Sequence, residues 1–208
     1  MEILNEISTL VQQGRAPKVK EAVAKALDDG VDAKTILEQG LLSAMSIVGV
    51  KFKNNEVFVP EVLIAARALN AALEVLKPHL IAEGVEEKGT VVIGTVKGDL
   101  HDIGKNLVKM MMEGKGLKVV DLGVNVSPEQ FIEAAKDNSA NIIACSALLT
   151  TTMNEMKNVV DLVKESKVNV KVMVGGAPIT QMFCDTIGAD CYTPDAASAA
   201  DAALAFCS

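Results

Sequence analysis

The chain has no tryptophan and one tyrosine, and aromatic residues make up only 3% of its 208 positions. Its apolar half is mostly Ala, Val, Leu, Ile and Met, the mixture of packed helices and parallel strands, and it is ample for a core. Histidine is scarce, at two residues, and the four cysteines form no CxxC pair. That argues against a zinc site of cysteine and histidine. Cys145 sits within an apolar strand pattern, which suits a buried free thiol. Positive charge is also lacking: the net charge is -7. Phosphate binding needs a basic face, so nucleic acid is not an expected partner. No apolar run approaches the roughly 20 residues needed to cross a bilayer. Residues 1–13 alternate charged and apolar residues at helical spacing, unlike a secretory signal. A cytoplasmic location without membrane attachment is expected.

Two periodicities divide what is there. Through residue 86 the apolar positions recur at three and four, as in Ile3, Ile7, Leu10 and Val11. Pro17 suits the start of a second helix and Asp32 the cap of a third, which Asn54-Asn55 ends. A fourth begins near Pro60, so residues 1–86 are expected to form a four-helix bundle. The charged, glycine-bounded stretch Val85–Gly89 reads as a linker and hinge. Beyond it, strands at Thr90–Val96, Lys118–Leu122, Ile142–Ser146, Lys171–Val174 and, more weakly, Cys191–Thr193 alternate with helices. Residues 87–208 are therefore expected to form a flavodoxin-like or Rossmann-like α/β domain with five parallel strands.

Ligands of such sheets bind beyond the carboxyl ends of the strands. The loop after the first strand, Gly98-Asp99-Leu100-His101-Asp102-Ile103-Gly104, holds one of the two histidines. Imidazole binds transition metals through one nitrogen while the other donates to a carboxylate, and Asp99 is near enough in sequence to be that partner. Glycines at 98 and 104 allow bulky material to approach the backbone. Taken alone, His101 also fits a solvated loop residue, and Asp102 a helix cap. Lys97 and Lys105 read as surface charges, and His79, after Pro78 at a helix end, as a surface or structural residue.

This loop matches the DxHxxG motif of cobalamin-binding domains. Ser146-Ala147-Leu148 after the third strand matches their SxL element, and Gly175-Gly176 after the fourth their GG element. Phe52, Phe58-Val-Pro-Glu-Val62 and Ala65-Ala66-Arg67 resemble the helical cap that precedes the cobalamin domain in methionine synthase. Nearly the whole chain resembles the corrinoid proteins of methylamine, methanol and quaternary-amine demethylation.

The resemblance implies a methyl carrier, not catalytic alone, that serves a substrate-specific methyltransferase and a second methyltransferase acting on a thiol coenzyme or tetrahydrofolate. A reductive activase is a further implied partner. The implied cofactor is cobalamin, cycling between methylcobalamin and cob(I)alamin and bound base-off/His-on. His101 would be the axial ligand of cobalt, Asp99 its hydrogen-bonding partner and Thr152 the third member of a proton relay. Gly98, Leu100, Asp102, Ile103 and Gly104 complete the implied loop contacts. Gly104, Ser146, Leu148, Thr150, Gly175 and Gly176 would line the slot for the displaced nucleotide tail, with Tyr192 and Ala196 at its rim. Phe52 and Val59 correspond to cap residues over the methyl-bearing face, although both also fit the core of a bundle. A mutase subunit shares the DxHxxG loop but normally lacks the helical cap. A cobalamin-dependent sensor module usually adds a DNA-binding segment. A plain flavodoxin-like receiver or nucleotide binder leaves His101 unexplained.

Overall fold

The computed structural model describes residues 2–207. It divides into two units, one of Met1–Glu87 with Gly114–Gly116 and one of Lys88–Glu113 with Leu117–Ser208.

The first unit is helical. Helices α1 (Glu2–Gln12) and α2 (Ala16–Asp28) precede a rod made of α3 (Ala33–Thr35), a π-helical segment (Ile36–Leu42) and α4 (Ser43–Lys53). Helix α5 (Val59–Ala82) closes the unit. Asp32 caps the rod by accepting from the Thr35 amide at 2.8 Å. Glu83, just past α5, takes the amides of Ala33 and Lys34 at 2.8 and 3.1 Å. The open donors of a helix start are thus met by two carboxylates, one of them 50 residues away. Buried side chains at three-and-four spacing fill the interior: Ile7 and Val11 of α1, Val19 and Val23 of α2, Val62 and Leu69 of α5. The π segment places Gly40 against Ile7, where a β-carbon would stand 3.1 Å from its Cγ2. Helix α5 continues through Pro78 to Ala82, so His79 lies inside a helix, exposed, rather than at its end.

The second unit holds five parallel strands: β1 (Thr90–Thr95), β2 (Lys118–Asp121), β3 (Ile142–Ser146), β4 (Lys171–Gly175) and β5 (Cys191–Tyr192). Their order is β2-β1-β3-β4-β5. Between and after them run α6 (Ile103–Glu113), α7 (Pro128–Asp137), α8 (Met153–Ser166), α9 (Gln181–Ile187) and α10 (Ala196–Phe206). Side chains alternate across the sheet. Val92, Ile143, Cys145, Val172 and Val174 pack with Phe131 of α7, Met156 and Val160 of α8, and Ile187 of α9. Val91, Ile93, Ile142, Ala144 and Met173, also buried, belong to the other face. Both faces are covered, as parallel strands require. Cys145 is free and buried, and burial pushes its thiol up.

The order reverses direction between β1 and β3: one connection leads outward to β2, the other to β4. Loops leaving such a point diverge and open a crevice at the carboxyl edge. In register, Thr95 of β1 stands beside Ser146 of β3, and Ser146 beside Gly175 of β4. The three sequence motifs thus begin from one row of the sheet.

Candidate functional site

Asp99 is the centre of that edge. Its side chain is fully buried, yet no cation pairs with it among the described residues except by way of the His101 ring. Oδ1 accepts from the His101 amide at 3.1 Å and lies 2.7 Å from His101 Nδ1. Oδ2 accepts from the amides of Leu148 and Leu149 at 2.8 and 3.1 Å. The Thr152 hydroxyl lies 2.9 Å from both Oδ2 and the Leu149 carbonyl, with one proton to give. Burial alone would push the Asp99 carboxyl up. The amide and ring hydrogens of His101 and the amides of Leu148 and Leu149 outweigh it and hold the carboxyl well below the usual carboxylate range.

An ionised carboxylate only accepts, so Nδ1 of His101 carries the proton that lies between them, and a neutral ring then has its lone pair on Nε2. The ring is half exposed. Around it the chain presents apolar side chains to the outside: Leu100 and Ile103 are 71% and 76% exposed, and Leu148 and Leu149 are exposed as well. A basic nitrogen with a fixed tautomer, set among apolar groups, fits a flat macrocycle whose metal accepts one axial nitrogen.

The glycines fit the same group. A β-carbon on Gly104 or Gly175 would meet no atom of the chain within 4 Å. Gly176 differs: with φ at +140°, its added β-carbon would come within 1.8 Å of the Ala147 carbonyl oxygen. That close crossing brings the GG and SxL elements together, reinforced by the Ala147 amide bonding to the Gly175 carbonyl at 3.2 Å. Gly98 adopts φ +80°, the left-handed turn that lets the loop double back toward β1.

Other expected site residues are less central. Asp102 precedes α6, exposed, and its carboxylate accepts from the Asn106 side-chain amide at 3.1 Å. Thr150 is exposed on the loop after β3. Tyr192 pairs in register with Val174 and packs against the core on the α7–α9 side. Ala196, the first residue of α10, is buried. Phe52 on α4 and Val59 at the start of α5 are half-buried in the helical unit.

Lys97 is exposed as expected, but Lys105 is not a surface charge. It is 2% exposed and bonds Asp121 Oδ1 at 2.6 Å and Asn106 Oδ1 at 2.7 Å. Burial raises the Asp121 carboxyl, and the Lys105 bond and the Gly123 amide more than offset this, leaving it lowered. The pair ties the first turn of α6 to the end of β2, so α6 follows the loop in a fixed direction. The two partners should tolerate substitution unequally. Asp121→Asn strands a buried ammonium and is expected to cost about 3 kcal/mol, whereas Lys105→Met, which fills the same space, is expected to cost under about 1 kcal/mol. Urea denaturation of both variants measures the difference.

Sequence reasoning also missed Asn125. Its Oδ1 accepts from the Gly98 amide at 2.8 Å and its own amide donates to the Asp99 carbonyl at 3.0 Å. Its φ of 56° is one that asparagine tolerates better than most residues. An isolated asparagine after Gly123-Val124 carries a turn signal and nothing that points to a loop 27 positions away.

The fold and this edge define a cobalamin-binding module. The B12 binding domain family matches residues 89–205, and a second B12 binding domain family matches residues 3–77. The chain belongs to the B12-binding family. It is 43% identical over 199 residues to dimethylamine corrinoid protein 3 of Methanosarcina acetivorans, covering 95% of this chain and 93% of that one. It is 38% identical over 208 residues to a corrinoid protein of Desulfitobacterium hafniense, covering 98% and 96%. In structure it resembles one chain of the methanol:cobalamin methyltransferase complex of Methanosarcina barkeri, with a TM-score of 0.88, 30% identity and coverage of 98% of this chain and 80% of that chain.

Proposed function

We propose that this chain is a methyl carrier: it holds a corrinoid base-off/His-on through His101 Nε2 and serves a substrate-specific methyltransferase. The observation that carries this is the Asp99 carboxylate, buried with no lysine or arginine paired to it among the described residues and ringed by donors, which fixes one nitrogen of a half-exposed imidazole. Such a pair raises the basicity of a metal-ligating histidine and sets its tautomer. When bound, the corrinoid supplies a cobalt that accepts and releases a methyl group. The residues of the chain hold it, orient it and keep water from it. Leu100, Ile103, Leu148 and Leu149 offer the apolar surface, and Gly104, Ser146, Thr150, Gly175 and Gly176 the slot for the nucleotide tail. Thr152 extends the hydrogen-bond chain from Asp99 and gives a proton path behind His101.

The relatives named for dimethylamine and the methanol complex support a methylated amine or methanol as the source of the methyl group. A second methyltransferase removes it, and a reductive activase restores the carrier after oxidation. Residues 1–86, Phe52 and Val59 among them, are the helical cap that the family resemblance implies. No helix among the described residues is long and apolar enough to cross a membrane, and we place the carrier in the cytoplasm.

The glycine slot separates binding from folding. Gly175→Ala is expected to leave the melting temperature of the cofactor-free chain within about 2 °C, since its methyl group meets nothing. The same methyl group is expected to weaken hydroxocobalamin binding at least about tenfold by standing in the slot. Equal affinity in native and variant protein, measured by spectrophotometric titration, would remove Gly175 from the slot.

A further inference from the structure

Thr95 is the last residue of β1, in the run Val91-Val-Ile-Gly-Thr95, and it is wholly buried. A hydroxyl in that place costs stability unless it is bonded. Its bond goes to one atom: Oγ1 donates to the carbonyl oxygen of His101 at 2.8 Å. The backbone of Thr95 is itself fixed on both sides. Its amide donates to the Gly123 carbonyl and its carbonyl accepts from the Val126 amide, each at 2.9 Å. The hydroxyl therefore links a point locked in the sheet to the main chain of the histidine.

The ring of His101 is held through Nδ1 and its amide through Asp99 Oδ1. Those two bonds share one oxygen, and neither engages the carbonyl of His101. Thr95 holds that carbonyl, at the opposite end of the residue. We propose that Thr95 is a positioning residue for the metal-ligating histidine: its buried hydroxyl holds the His101 carbonyl and so sets how far Nε2 projects toward the cobalt. The proposal rests on His101 being the axial ligand and adds a residue outside the DxHxxG motif to the device that aims it.

The size of the effect is that of one partly buried hydrogen bond, about tenfold in an equilibrium constant. Thr95→Val keeps the shape and β-branching and removes the donor; Thr95→Ser restores it. Each is reconstituted with hydroxocobalamin beside native protein and His101→Ala. Thr95→Val is expected to bind corrinoid with a dissociation constant raised about tenfold and to show part of its spectrum in the form seen with His101→Ala. Thr95→Ser is expected to match native protein. In the cofactor-free chain, the carbonyl carbon resonance of His101 is expected to move in Thr95→Val and not in Thr95→Ser. Should Thr95→Val fail to fold, Thr95→Ala takes its place. A native spectrum and affinity in the valine variant would overturn the role of Thr95 alone. Identical spectra for native protein and His101→Ala would overturn axial ligation, and this proposal with it.

Discussion

His101→Ala is expected to fold normally and to lose cobalt ligation. The side chain is half exposed, and its loss removes one of the contacts on Asp99 while the amides of His101, Leu148 and Leu149 and the Thr152 hydroxyl remain. The expected cost in stability is under about 1 kcal/mol. After reconstitution with hydroxocobalamin, native protein is expected to give a stoichiometric corrinoid spectrum and the variant an altered one. Methyl transfer is expected to fall by more than about a hundredfold, since disturbing even the outer partners of metal ligands costs ten- to a hundredfold. If native protein takes up no corrinoid, the carrier function proposed here collapses to a flavodoxin-like module with another ligand.

Asp99→Asn is expected to be the more damaging substitution for the fold. All the groups around the two oxygens are placed to donate, and an amide in their place turns one NH2 toward them. A buried donor facing donors is expected to cost about 2–3 kcal/mol at neutral pH. The pH dependence has a definite sign. A carboxyl held below its usual value adds stability that is present above that value and is lost as pH falls toward its folded one. The gap between native and variant protein should therefore be widest at neutral pH and should narrow below about pH 4. Urea denaturation at pH 7 and pH 3 tests this; a gap that stays constant would mean that the Asp99 charge contributes nothing to folding. The same variant has one acceptor oxygen in place of two for the His101 ring and the Leu148 and Leu149 amides, so its bound corrinoid should differ from native in spectrum.

Much of this was written locally in the chain. The helix caps Asp32, Ser127, Thr180 and Asp195 act within three residues of themselves. The strands were legible because each is a short apolar run bounded by polar residues, and the Asp99–His101 pair because two positions on one loop can hardly avoid each other. What escaped was held by distance. Lys105 looked like any solvated lysine until Asp121, 16 positions on, enclosed it. The donors from Leu148 and Leu149 are backbone groups, which no side-chain pattern announces. The π segment at Ile36–Leu42 changes the turn by a fraction of a residue, less than apolar spacing can register. Tyr192 sits on a two-residue edge strand, and its pairing with Val174 of β4 is not announced by so short a run.

The use of main-chain donors at Leu148 and Leu149 leaves an opening for redesign. Any residue but proline offers the same N–H, so the grip on Asp99 Oδ2 does not depend on which side chain stands at either position. Both side chains point outward, exposed. A library randomised at 148 and 149 with proline left out can vary the size and polarity of the surface offered to a macrocycle while the imidazole keeps its aim. These two positions are thus separate dials for selecting carriers of altered corrins.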